Sequence, residues 1–471
     1  MLEFGHHFIA GQWQPAGGPE LILLDPTTEE RSALVRLGTR EEACAAVSAA
    51  AEALPAWSNC SLIERASFLC KAAELIEGKA DALADTFARE IGTPIAHGRR
   101  LHVEPALHLL RAAPLSATNH RRISSRLGRT LIERVPLGVA ALITPWNYPL
   151  YLAASKLVPA MLAGCTVVLK PSELAPASIV LLAQALHDAG TPPGVFNVVL
   201  GDGVVGEALV SHRDVAVVSF TGSTAVGRRI GQVAGASLKK LFLELGGKSA
   251  SLVLNDAPLE VAVEGTLRKS FQNSGQTCSA LSRLLVPAEK FDQACALAAA
   301  CANSLRVGNP LEPRTELGPL ISAQQRNRAL ELMHRALAQG ARCIAGGPER
   351  SPHLPRGYFV NPTVLATTDT TLEMAQTEAF APIVTILPFK SEEEAVAIAN
   401  GTNYGLSGAV WSAKGSKALR FARRMRAGSI SINGARTHPD APFGGFAQSG
   451  FGRERGPSAV DEFLTTRAFN R

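Results

Sequence analysis

No cysteine in this chain of 471 residues stands in a C-x-x-C pair, and no Cys/His grouping has the spacing of a zinc site. The eight cysteines, at positions 44, 60, 70, 165, 278, 295, 301 and 343, lie mostly in apolar surroundings, as free thiols do in a reducing compartment. A disulfide framework and a bound metal are therefore not expected. The N-terminus, Met1-Leu2-Glu3-Phe4-Gly5-His6-His7, lacks a cationic stretch followed by an apolar one. No secretory signal is read there, and the cytoplasm is the expected location. Residues 135–155 carry no charge over a length that could span a bilayer, but Pro136, Pro145, Asn147 and Pro149 interrupt them. A lipid-facing helix would leave its backbone unsatisfied at those points, so no membrane partner is expected. Nor does either sign of charge dominate: 47 Lys and Arg against 41 Asp and Glu leave +6, too little to imply nucleic acid. Repeats, low-complexity tracts and flexible linkers are missing as well.

What is present is a core-rich composition, 46% hydrophobic and 19% charged, in a chain long enough for roughly two to four domains. Between residues 136 and 243, short β-branched runs at 138–143, 166–169, 195–200, 215–219 and 239–243 alternate with helical patterns at 176–187, 204–211 and 223–234. This alternation implies βαβ units and a parallel sheet covered on both faces, with ligands bound at the carboxyl ends of its strands. The first hundred residues read as largely helical, at 41–56, 61–78 and 80–91. A second α/β region begins at Ser249, with strands expected at 251–254, 284–286, 383–387 and 428–432 and helices at 259–272, 290–304, 323–339, 392–400 and 416–425. Without a linker between them, the two regions should share a cleft.

The run Gln272-Asn273-Ser274-Gly275-Gln276-Thr277-Cys278-Ser279 is a small, polar loop after an apolar-periodic helix, a poor place to bury a thiol and a good one to expose it. Upstream lies Leu243-Glu244-Leu245-Gly246-Gly247-Lys248. A thiol that attacks a carbonyl and a carboxylate that activates water are the groups needed to take an aldehyde to an acid through a thioester. Gly201-Asp202-Gly203-Val204-Val205-Gly206 is a literal G-x-G-x-x-G. It follows the third strand of its unit, and Thr221-Gly222-Ser223-Thr224 stand where a Rossmann acidic residue would, so it reads as a tight turn near a nucleotide. Phe220-Thr221-Gly222-Ser223-Thr224, between a strand and a helix, fits a phosphate loop better, or a plain helix cap. Lys170-Pro171-Ser172-Glu173 ends another strand, where Glu173 could accept ribose hydroxyls and repel a 2′-phosphate; local pattern alone makes it surface charge. In Thr144-Pro145-Trp146-Asn147-Tyr148-Pro149, a proline-stiffened loop offers the Asn147 amide as a fixed donor, whose plainer reading is a structural loop residue. The basic run from Arg121 to Arg129 reads as a solvated or subunit-facing β-ribbon.

Together with Glu378-Ala379-Phe380-Ala381-Pro382 and Pro442-Phe443-Gly444-Gly445, these segments resemble, in order over nearly the whole chain, the aldehyde dehydrogenase superfamily. The resemblance implies an α/β fold: a Rossmann-like dinucleotide-binding domain (1–117 and 137–245), an α/β catalytic domain (246–448) and a β-ribbon oligomerisation arm (118–136 and 449–471). It implies Cys278 as nucleophile, Glu244 as general base and Asn147 as oxyanion donor. Trp146, Lys170, Glu173, Gly206 and Ser223 would line the adenosine and pyrophosphate site; Glu378 and Phe380, with Lys156 nearby, would hold the nicotinamide riboside. The cofactor is then NAD, with NADP not excluded, and the arm implies a homodimer or homotetramer. The substrate is expected to be an apolar or aromatic aldehyde entering past Tyr148, Tyr151 and Leu152, with Arg436 and His438 able to meet a polar or anionic tail; the plainer reading of their loop is a solvated surface turn. Three positions depart from the family pattern: Ala381 for a usual Gly, Ala447 for a frequent Lys, and Ser155 for a bulky aromatic, which would widen the tunnel. A coenzyme-A-acylating relative would generally lack the acid at Glu244, and a non-catalytic binding protein would have lost Cys278, Glu244 or Asn147.

Overall fold

The computed structural model describes residues 1–118 and 123–470. Its centre is an eight-stranded sheet in the order Gly450–Phe451, Lys240–Glu244, Val215–Thr221, Val139–Ile143, Thr166–Lys170, Phe196–Val198, His6–Ile9, Gln12–Pro15, of which the second to the sixth run parallel. Every residue of Val139–Ile143 and of Thr166–Lys170 is buried. A strand covered on both faces must be apolar throughout, which is why these segments read as continuous rather than alternating runs. Helices Ala177–Asp188, Gly203–Ser211 and Thr224–Gly235 make the crossovers. The uncharged run at 135–155 is now explained: it passes through the strand Val139–Ile143 and into the buried core helix Pro149–Ala163, which has proline at its first position.

A seven-stranded sheet holds the second region, in the order Arg342–Ala345, Thr363–Ala366, Ile383–Phe389, Arg283–Pro287, Ala250–Val253, Ser407–Trp411, Ser429–Ile432. All its neighbours are parallel except the first pair. A three-stranded antiparallel ribbon, Ile123–Leu127, Thr130–Pro136 and Leu464–Phe469, joins the two ends of the basic segment to the C-terminus. Arg121 and Arg122 of that segment lie outside the described residues. Gly450–Phe451 pairs with Lys240–Glu244, not with the ribbon.

The largely helical reading of the first hundred residues needs correction. Helices Arg40–Asn59, Leu62–Glu77 and Ala80–Ile91 are there, but five strands precede them. They are three to six residues long, and His6–Ile9 and Gln12–Pro15 form a hairpin added to the sheet edge through Phe8 and Val198. Such short edge strands carry little periodicity of their own. Among the described residues no helix is long and apolar enough to cross a membrane, and no group of three His, Cys, Asp or Glu could hold a metal ion. All eight cysteines are free.

Gly450 fixes the end of the strand that carries Glu244, pairing with it at φ +108° where an added Cβ would lie 1.8 Å from the Leu243 carbonyl oxygen. Gly450→Ala should destabilise the fold by at least about 2 kcal/mol. A thermal melt checks this, and an unchanged midpoint would show that the segment is not pressed against the strand.

Candidate active site

Strand register brings the chemistry to one edge. Ile143 pairs with both Lys170 and Phe220, and Thr221 pairs with Glu244, so the segments leaving four parallel strands emerge side by side. Strand order reverses between Val139–Ile143 and Val215–Thr221, and a crevice opens at such a point. Two cavities occupy it. One of about 330 Å³ is bordered by Lys170, Glu173, Gly206, Phe220 and Val226; the other, of about 160 Å³, by Trp146, Asn147, Ser223, Glu244, Cys278, Glu378 and Phe380. Pro145, Thr221 and Gly222 line both, so they form one continuous cleft.

The Cys278 loop is stitched to the other region. Helix Leu259–Phe271 ends, and Asn273 and Ser274 turn the chain through φ +54° and +56°. The Asn147 side-chain amide donates to the Gln276 carbonyl at 3.0 Å, and the Asn273 amide donates back to the Asn147 carbonyl at 3.0 Å. Thr93 Oγ1 donates to Asn273 Oδ1 at 2.7 Å and lies 3.0 Å from His102 Nε2. A hydroxyl has one proton, so His102 must carry its proton on Nε2 and donate to Thr93. His102 is fully buried between Phe87 and Tyr148, with ring centroids 4.6 and 4.8 Å away, and burial pushes its pKa down to about 3. It is a neutral spacer at any working pH. Tyr148 closes the stitch, its hydroxyl 2.7 Å from Thr277 Oγ1, beside Cys278.

Glu244 is 5% exposed, and among the described residues no group donates to either carboxylate oxygen. Its pKa is raised well above the carboxylate range, first by burial and then by the charge of Glu454, with Lys156, Arg453 and Arg455 opposing. Cys278 is partly exposed in the cleft, and its thiol is pushed up to about 12 by desolvation, then by Glu244 and Glu378. Gly246 and Gly247, just after Glu244, leave room for close packing: a Cβ there would lie 2.3 Å from Glu378 Oε2 and 2.8 Å from the Cys278 carbonyl oxygen, respectively. Glu378 accepts from the Gly247 N–H at 3.0 Å and is raised to about 7 by burial. Phe380 meets the Trp146 ring edge-on at 5.6 Å. Ser223 caps helix Thr224–Gly235, accepting from the Val226 N–H.

Some expected residues stand elsewhere. Lys156 does not border the cleft: its buried ammonium pairs with Glu454 and donates to Ser219 Oγ at 3.2 Å. Ser155, expected to leave a gap, puts its hydroxyl 2.9 Å from the other Glu454 oxygen. Tyr148 and Leu152 cluster with Leu101, and Tyr151 packs against them. Arg436 and His438 are exposed on a loop tied down through Asp440, 2.8 Å from His108 Nε2. Thr93, His102, Glu454 and Arg455 escaped sequence reasoning. Thr93 meets Asn273 across 180 residues and Lys156 meets Glu454 across 298, separations that leave no local pattern.

Thr93→Val would leave Asn273 Oδ1 and His102 Nε2 buried without partners, at a cost of about 1–3 kcal/mol in urea unfolding. Wild-type stability in this variant would show that the stitch carries no load.

The model of the aldehyde dehydrogenase family matches residues 13–469. A 3-succinoylsemialdehyde-pyridine dehydrogenase of a Pseudomonas species is 41% identical over 99% of this chain and 98% of its own length. Among solved structures, a mutant of aldehyde dehydrogenase C from Pseudomonas syringae, complexed with NAD+ and octanal, superposes with a TM-score of 0.97 at 39% identity, covering 99% of this chain and 96% of that one. Betaine aldehyde dehydrogenase from Staphylococcus aureus in complex with NAD+ gives 0.94 at 33% identity, covering 99% and 94%. The chain belongs to the aldehyde dehydrogenase family.

Proposed function

We propose that this protein oxidises an aldehyde to its carboxylic acid with NAD+, with Cys278 as nucleophile, Asn147 as oxyanion donor and Glu244 as the base that releases the product. The observation that carries the reading is the meeting of these three side chains, from two sheets, around one cavity of about 160 Å³. The cofactor fits the residues present. The larger cavity has an apolar wall of Val210, Phe220, Val226 and Ile230 suited to an adenine, and Ser223 with the start of helix Thr224–Gly235 faces the passage between the cavities. Arg229 could meet a 2′-phosphate, but Glu207 holds it bidentate at 3.0 Å, and Glu173 adds a second carboxylate. That balance supports NAD over NADP. When bound, the nicotinamide supplies the hydride acceptor, and Glu378 and Phe380 would hold its riboside.

The protein's own part divides in two. Cys278 must lose a proton before its sulfur can attack, and Glu244 is the first-ranked charge that disfavours the thiolate. Moving the thiol proton to Glu244 neutralises that charge, so the transfer itself eases the formation of the nucleophile. The Asn147 amide spends one N–H on Gln276 and keeps another for the developing oxyanion, a contribution typically of about 2.7–4 kcal/mol. After the thioester forms, Glu244 must first pass the thiol proton to solvent; once ionised again, its raised pKa suits it to take a proton from the attacking water. Outside the cleft, the same reading keeps the domain division at 1–117 with 137–245, 246–448, and 118–136 with 449–471, and a cytoplasmic location. The ribbon's exposed Leu127 and Phe469 support its pairing with a second copy in a homodimer or homotetramer.

Cys278→Ala should abolish NADH formation from an aldehyde panel, read at 340 nm, while NAD+ binding persists; residual turnover would remove Cys278 from the chemistry. Glu378 adds a pH test. Its carboxylate accepts ribose hydroxyls more strongly, and through both oxygens, once ionised, and burial raises its pKa to about 7. NAD+ affinity should therefore rise between pH 6 and 8 and level off above, and Glu378→Gln should flatten the profile in a fluorescence titration. An identical slope in the variant would assign the titration to another group.

A further inference from the structure

Three cations on separate segments, Arg100, Lys269 and Arg455, stand near Tyr148 and Tyr151 and within electrostatic reach of one another. Arg100 lies in the turn Arg99–Val103, directly before Leu101, which clusters with Tyr148 and Leu152, and His102, which stacks on Tyr148. Lys269 lies in the last turn of helix Leu259–Phe271, three residues before Gln272, whose amide reaches the Tyr148 hydroxyl at 3.4 Å. That spacing sets Lys269 one turn above Gln272 on the same helix face. Arg455 lies over the Tyr151 ring at 5.3 Å and the Phe443 ring at 4.3 Å. All three thus border one aromatic wall, the wall that leads to Thr277 and the thiol.

Their neighbours in sequence have acidic partners, and among the described residues these three have none within ion-pair distance. Arg99 faces Asp81 at 3.4 Å and Glu104 at 3.6 Å, and Arg268 holds Glu264 at 2.7 Å. Asp440, whose backbone abuts Gly456, turns its carboxylate to His108, and Glu454 is taken by Lys156. The three charges also feel one another: the Lys269 ammonium is held below the lysine range first by burial, then by Arg455, with Arg100 adding to this and Cys278 opposing. Like charges left together without counter-ions work against the compact state, and an incoming anion relieves that repulsion.

We propose that the entrance selects an aldehyde with an anionic far end, a carboxylate held among Arg100, Lys269 and Arg455 while the aldehyde reaches Cys278. This rests on the dehydrogenase reading and narrows its expected apolar substrate. The two arginines and the lysine come from parts of the chain far apart in sequence, so the site exists only in the folded protein.

The test is kcat/KM for two ω-carboxy aldehydes, 4-oxobutanoate and 6-oxohexanoate, each against its methyl ester, at low salt and in about 0.5 M NaCl. At least one acid should exceed its ester on the order of tenfold, and salt should shrink that ratio. Arg100→Gln with Lys269→Gln should reduce the ratio severalfold. Esters oxidised as well as both acids, or a ratio unchanged in the double variant, would overturn the proposal while leaving the dehydrogenase reading intact. Oxidation of neutral aldehydes with neither acid turned over would overturn it too. If no aldehyde of any class is oxidised, the dehydrogenase reading itself fails.

Discussion

Glu244 is buried at the carboxyl end of a parallel strand, and among the described residues no group donates a hydrogen bond to either of its oxygens. A carboxylate in that position is costly when charged, and most buried polar groups avoid it. The surrounding structure keeps it there. Gly450 pairs beside it, Gly246 and Gly247 let Glu378 and the Cys278 loop close over it, and the Lys156–Glu454 pair sets the local field. Such strain is commonly held where a group must act, because solvation by fixed donors would make the carboxylate a weaker base.

The thiol is tied to that constraint in two ways. Its electrostatics are linked, since the Glu244 charge holds the Cys278 thiol up. Its position is linked as well, since the reciprocal bonds between Asn147 and the loop at Asn273 and Gln276 carry the thiol across to the edge where Glu244 emerges. Behind those bonds, Thr93 and the neutral His102 fix the Asn273 side chain without adding charge near the reaction. Nucleophile, donor and base therefore come from separate regions of the chain and meet around one cavity.

Much of this was legible in the sequence where the signal was local. Cys278 in its polar loop, Glu244 before two glycines and Asn147 between prolines each carried a readable motif, and the buried parallel strands announced themselves as continuous apolar runs. What was not legible depends on distance along the chain. Thr93 meets Asn273 across 180 residues, and Lys156 meets Glu454 across 298, which left Lys156 assigned to the cofactor. Ser407–Trp411, the sixth of the seven strands of the second sheet, starts Ser-Gly-Ala and gave no strand pattern. Arg436 and His438 looked apt for a substrate tail because the loop is polar, but Asp440 anchors it to His108 instead. The cations that do border the aromatic wall were hidden among partnered neighbours of the same charge.

The account rests on a division of labour: attack and oxidation at Cys278, release by Glu244. Intact-protein mass spectrometry of Glu244→Gln, mixed with aldehyde and NAD+, tests it most directly. The account predicts one equivalent of NADH, an acyl mass retained on a peptide containing Cys278, and release slowed at least about 100-fold. Steady turnover at the wild-type rate with no acyl adduct would contradict it.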